Sequence, residues 1–161
     1  MEGINLIIAG SRHLRVSYNF IMSKLVFFEI DPLDIASIYT GEAKGIDYCG
    51  KMFSASIHKP HVGFPYKSEL GKAGGPVRNQ EMAEAANSEG RAMLLLIWDG
   101  NSSGSANMKY QARSRGIPVC EVILHRPLQA DMKRLGLYKK PKDRVSEVNK
   151  SNQDNISLTT V

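Results

Sequence analysis

Gly71-Lys72-Ala73-Gly74-Gly75-Pro76-Val77-Arg78-Asn79 places three glycines in five residues, then a proline, then an arginine. Glycine lets a backbone turn sharply and lie close to a ligand. Pro76 fixes φ and suits the first turn of a helix. The run Val77 to Ala86 predicts that helix, with its free amides and positive dipole end facing whatever the loop approaches. Arg78 adds a forked donor set matched to phosphate. Loop, helix start and arginine describe an anion site. The same residues also fit a surface turn with a solvated arginine, and a glycine loop alone does not separate the two.

Outward from this stretch, strands and helices alternate. Ile4 to Ala9 is a continuous apolar run, as expected of a strand buried on both faces. It ends in Gly10-Ser11-Arg12. Ser17 is placed to cap a helix bearing Phe20, Ile21, Lys24, Leu25, Phe27 and Phe28, running to Ile30 and broken by Asp31-Pro32. Ile35 to Tyr39 predicts a second strand, entering Thr40-Gly41-Glu42-Ala43-Lys44-Gly45. Asp47 to Ile57 reads as a helix with Met52, Phe53 and Ile57 inward, and His61 to Phe64 as a third strand. Arg91 to Trp98 is the strongest strand signal and ends in a polar, Gly/Ser-rich loop, Asp99 to Ser105. Ala106 to Arg115 predicts a helix closed by Gly116 and Pro118. Val119 to Leu124 predicts a fifth strand, and Met132 to Leu137 a short helix. From Lys139 the chain is polar and aperiodic, so residues 1–138 are expected to form one domain and residues 139–161 a mobile tail.

Alternation of this kind argues an α/β fold with a mostly parallel sheet and helices on both faces. Ligands of such sheets bind at the carboxyl ends of the strands. The loops at 10–12, 40–45 and 100–105 each follow a strand, and the loop at 71–76 precedes a helix. All four are expected to converge on one edge of the sheet.

Composition narrows the class. The chain has 161 residues, 42% of them hydrophobic and 23% charged, which is ordinary for a globular protein. The net charge is +5, but residues 133–150 hold seven basic side chains against two acidic ones, so the rest is neutral. A basic tail is weak support for a nucleic-acid footprint, which should be a patch on the folded surface. Cys49 and Cys120 are far apart, and no Cys or His pair has metal-ligand spacing. Free thiols in a reducing compartment are expected, with no metal and no cofactor. No signal peptide is evident and no apolar run spans a bilayer, so a cytoplasmic protein without a membrane partner is expected. Gly45 to Met52 approaches a P-loop, but Met52 stands where a hydroxyl must reach magnesium. The four histidines show no pairing.

Read together, Gly10-Ser11-Arg12, Gly41-Glu42-Ala43-Lys44-Gly45-Ile46-Asp47 and the opening stretch with Met82 resemble the YspA-like family of the SLOG superfamily. Asp99-Gly100, Ser102-Ser103-Gly104-Ser105, Met108, Ala112 and Gly116-Ile117-Pro118-Val119 fit the same pattern. The resemblance spans about residues 4 to 123. It implies a Rossmann-like three-layer sandwich of five or more strands that binds nucleotides or nucleotide-derived ligands. Relatives include cytokinin-activating phosphoribohydrolases, sensors of NAD-derived signals and DNA-binding DprA proteins. Many members look phage- or prophage-encoded, which would place the protein in a bacterial or phage-infected cell.

Two departures bear on activity. Glu42 replaces the family's second glycine, and Met108 stands where the phosphoribohydrolases carry a glutamate. Their arginine partner matches Arg78. Cleavage of an N-glycosidic bond would then fall to Glu42, Asp47 or Glu81. As a binder, the chain would hold phosphate with Arg12, Arg78 and the loops containing Gly10, Ser11, Gly41, Gly45, Gly74, Gly75, Asp99, Ser102, Ser103, Gly104 and Ser105. Asp47 or Asn79 would take ribose hydroxyls, and Trp98 or Tyr48 would border the base. The competing readings are a nucleotide binder or sensor, a phosphoribohydrolase-like enzyme, a DprA-like DNA-binding module, and a homo-oligomeric scaffold pairing through Phe20, Phe27 and Phe28.

Overall fold

The structure is a computed structural model and describes residues 3–125. The helix expected over Met132 to Leu137, the domain boundary at 138 and the basic tail lie outside the described residues. Five strands, β1 (Ile4–Gly10), β2 (Ile35–Thr40), β3 (His61–Gly63), β4 (Arg91–Trp98) and β5 (Val119–Ile123), alternate with four helices. These are α1 (Tyr18–Phe27), α2 (Ile46–Ser56), α3 (Gly74–Ser88) and α4 (Ser103–Ser114). Short 3-10 segments cover Pro32–Asp34 and Ser68–Ala73.

All pairings are parallel, in the order β3-β2-β1-β4-β5. This is a Rossmann-like α/β sandwich of three layers. β1 and β4 pair along their length, from Ile4 opposite Arg91 to Gly10 opposite Ile97. Their side chains alternate between two cores, as period-2 geometry requires. Leu6, Ile8, Leu95 and Ile97 pack with Phe20, Ile21 and Leu25 of α1 and Phe53 of α2. Ile7, Leu94, Leu96 and Trp98 pack with Met82, Ala83 and Ala86 of α3 and Met108 and Ala112 of α4. Burial on both faces explains the unbroken apolar runs. The strand order reverses between β1 and β4, and crevices form at such switch points.

The helix ends correct several expectations. Ser17 caps α1 by accepting from the Phe20 amide at 3.0 Å. The helix stops at Phe27 rather than Ile30, because Glu29 turns left-handed at φ 57°. The Ile30 amide then returns to Leu25 O and the Glu29 amide to Val26 O, a Schellman closure that swings Ile30 into the core. His58, at φ 55°, closes α2 in the same way. Gly116 does so for α4, as its sequence position predicted. Met52 is 49% exposed and not inward, while Phe53 beside it is buried. Phe27 is 74% exposed, so the aromatic row of α1 does not face the core as a unit. Gly74 and Gly75 are the first residues of α3 rather than a loop before it.

No helix among the described residues is long and apolar enough to cross a membrane.

Glu29 is exposed and holds a backbone conformation that L side chains adopt at a cost of about 1–2 kcal/mol. Glycine relieves that strain but loses more chain entropy on folding. Glu29→Gly should therefore stabilise the fold by about 0.5–1 kcal/mol net, read as a higher urea midpoint at unchanged slope. An unchanged or lower midpoint would show that the strain is not felt.

Candidate functional site

A cavity of about 50 Å³ opens where the strand order reverses. Its lining comes from the end of β1 and the loop beyond it (Gly10, Arg12), the β2–α2 connection (Ala43), the first turn of α2 (Asp47), α3 (Arg78, Asn79) and the start of α4 (Ser102, Gly104, Ser105). Ala9, Met82 and Met108 form its apolar part. Arg12 and Arg78, 66 positions apart in sequence, thus share one cavity.

Arg78 is buried along the flank of α3. Its Nη1 donates to Gly41 O at the end of β2 and to Phe64 O just after β3, the latter at 3.3 Å. Its Nε donates to Asn79 Oδ1 at 2.9 Å. The guanidinium therefore ties two strand ends together before it meets any ligand. Gly41 is required here: a Cβ would overlap the Arg78 guanidinium and the Asp47 carboxyl.

Asp47 lies in the first turn of α2 and is 5% exposed. Its carboxyl accepts from the Ala43 amide at 3.3 Å. Burial raises its pKa above the usual carboxylate value. The Ala43 and Gly10 amides and the charges of Arg78 and Arg12 pull it down without cancelling that effect. Arg78 is shifted downward by burial, against the attraction of Asp47.

Ser102 caps α4 by accepting from the Ser105 amide at 3.4 Å. Asp99 holds this turn by accepting from the Asn101 and Ser102 amides at 2.9 and 3.1 Å, which lowers its pKa. The Ser103 and Gly104 amides, in the first turn, have no intrahelical acceptor. Ser105 Oγ is the one buried side-chain polar atom without a hydrogen-bond partner among the described residues. It is 4% exposed and lines the cavity.

Other expected site residues serve as supports or lie elsewhere. Ser11 is buried and its hydroxyl accepts from the Asp99 amide at 3.1 Å, pinning the β1 loop to the β4 loop. Gly45, at φ 77°, is where the chain passes against the Ser11 and Arg12 carbonyls. Ser103 begins α4 but does not line the cavity. Asn79 donates to Gly104 O and Asn107 Oδ1 at 3.2 and 3.1 Å, so it binds α3 to α4 and its amide is already engaged. Gly74 and Gly75 do not line the cavity. A Cβ on Gly74 would strike Lys67 O, and the Tyr66 ring lies against both glycines. They are small because the preceding strap crosses the helix start. Glu42 faces Lys51 at 4.0 Å, and Glu81 pairs with Lys67 at 3.0 Å. Of the three candidate catalytic carboxylates, only Asp47 reaches the cavity. Trp98 is buried with its indole N–H on Glu121, Tyr48 is exposed on α2, and neither lines the cavity.

Sequence reasoning named Met82 and Met108 only as parts of the family pattern, and did not place them or Ala9 among the residues lining the site. It also missed a histidine contact: His61 Nε2 lies 2.8 Å from Thr40 Oγ1. Both cysteines are free. The described residues contain no cluster of three or more His, Cys, Asp or Glu side chains able to hold a metal ion. No family model, curated protein or solved structure matches the chain.

The sign of the Asp47 shift gives a stability test. A carboxyl whose pKa is raised on folding makes the native state bind more protons, so its ionisation opposes folding once pH exceeds the unfolded value. Asp47→Asn should raise the thermal midpoint at neutral pH. That gain should shrink as pH falls toward the ordinary carboxylate range. Melting curves across pH check both, and a variant less stable at neutral than at acidic pH, relative to wild type, would reverse the assignment.

Proposed function

We propose that the chain binds the phosphate of a nucleotide or nucleotide-derived ligand in the switch-point cavity. The observation that carries this reading is the cavity itself, where Arg12 and Arg78 meet the N-terminus of α4, whose Ser105 lines the cavity and has a buried hydroxyl without a partner. An unsatisfied buried hydroxyl is unfavourable unless a ligand or water completes it. Its neighbours decide which ligand fits. Arg12, Arg78 and the free amides of the first α4 turn favour a compact oxyanion. The nucleotide character rests on the resemblance of the loop motifs to the YspA-like family.

N-glycosidic cleavage is the second reading, favoured by a carboxylate in the same cavity. Asp47 would carry it alone, since Glu42 and Glu81 are paired with lysines elsewhere. Chromatography of nucleotides incubated with the protein separates the readings: free base means turnover, intact nucleotide with bound protein means binding only.

Nucleoside phosphates, cyclic nucleotides and ADP-ribose compounds should include at least one that raises the melting temperature. Ser105→Ala should weaken that ligand about tenfold, the loss expected for one hydrogen bond to a charged group. No shift with any compound in the panel would defeat the proposal.

A further inference from the structure

The cavity is an unusual anion site because it already contains a carboxylate. Asp47 is buried inside it, its carboxyl accepting from the Ala43 amide. The charged groups acting on it are Arg78 from α3 and Arg12 from the β1–α1 loop. The first turn of α4 contributes Ser102, Gly104 and Ser105, none ionisable, and the Asp99 carboxyl at the end of β4 is occupied by the Asn101 and Ser102 amides. Two guanidinium groups thus face one carboxyl before any ligand arrives.

We infer that Asp47 determines the charge of the group this cavity accepts, so that a monoanion binds directly and a dianion binds only together with a proton. The inference rests on the phosphate-site reading above and deepens it. Two guanidinium groups balance an ionised Asp47 plus a monoanion, or a protonated Asp47 plus a dianion. An ionised Asp47 beside a dianion leaves one excess negative charge in a space of about 50 Å³, where water screens poorly. Like charges held this close do not both stay ionised. The proton goes to Asp47, whose burial already favours the neutral form.

The ligand class follows. Phosphodiester and internal pyrophosphate groups carry one negative charge per phosphorus and enter without proton uptake. A terminal phosphomonoester carries a charge approaching two near neutrality and enters at the cost of a proton. At neutral and alkaline pH the cavity therefore prefers a cyclic or internally linked phosphate over a free terminal one.

Sulfate and methanesulfonate test this directly, since they share a tetrahedral head and differ by one charge across the neutral range. Calorimetric titration in two buffers of different ionisation enthalpy counts the protons taken up. Above the Asp47 titration sulfate should take up about one proton, and its affinity should fall by about tenfold per pH unit. Methanesulfonate should show neither effect. Asp47→Asn should bind sulfate more tightly than wild type in alkaline buffer, with no proton uptake. Sulfate binding to the wild-type protein without proton uptake above the Asp47 titration, or an unchanged pH slope in Asp47→Asn, would overturn this inference and leave the anion site standing. Failure of both anions to bind would overturn the site and the inference together.

Discussion

Arg78 and Asp47 place opposite charges out of water at the point where the strand order reverses, and the rim of the sheet is arranged to make that tolerable. Removing a guanidinium and a carboxylate from water is unfavourable by several kcal/mol each unless their remaining valences are met. Here backbone groups and the Asn79 side chain meet them. Gly41 O and Phe64 O take the Arg78 Nη1 protons and the Asn79 side chain the Nε proton, while the Ala43 amide serves Asp47. The attraction between the two groups does not fully repay burial, because each is shifted toward its neutral form. The pair is better read as a device for fixing loop positions than as a source of stability. Gly41 follows from it, since any side chain there would occupy the space of the pair.

Adjacent residues on α3 divide the remaining work. Arg78 reaches the ends of β2 and β3, and Asn79 reaches the start of α4. One helical step therefore joins both sides of the crevice. Ser11 adds a third tie by joining the β1 and β4 loops through the Asp99 amide. The two helix N-termini at this rim then have different fates. The start of α3 is covered by Tyr66 and the strap before it, and the start of α4 faces the cavity. The helix start open to the cavity is that of α4, although the richer glycine run belongs to α3.

That reversal shows where sequence reading succeeds and where it stops. The strands were legible because burial on both faces leaves unbroken apolar runs, and β4 has the bounds its composition predicts. The α1 and α4 caps were legible because Ser17 and Gly116 are the residue types those positions favour. Glu29 and His58 are not, so the left-handed closures of α1 and α2 carried no signal. Gly74 and Gly75 misled for a different reason. Glycine serves left-handed turns and close packing alike, and only the neighbour, here Tyr66, tells which. Glu42, Asp47 and Glu81 were equivalent as letters. Their separation into one buried acid and two lysine partners depends on contacts between segments distant in sequence.

The apolar part of the cavity completes the electrostatic logic. Met82, Met108 and Ala9 offer no polar atoms able to compete with the donors at the rim. Met108, the position that the loop resemblance matches to a hydrolase glutamate, is buried in the core with Ala112. A second carboxylate at that position would set two acids against Arg12 and Arg78 and cancel the positive charge that attracts an anion. With methionine there, the balance rests on Asp47 alone. Substituting Met108 by an acid would therefore weaken the charge that draws in an anion, even as it restored the residue type a hydrolase uses. The two roles would pull the same cavity in opposite directions, and Met108 leaves Asp47 as its one carboxyl.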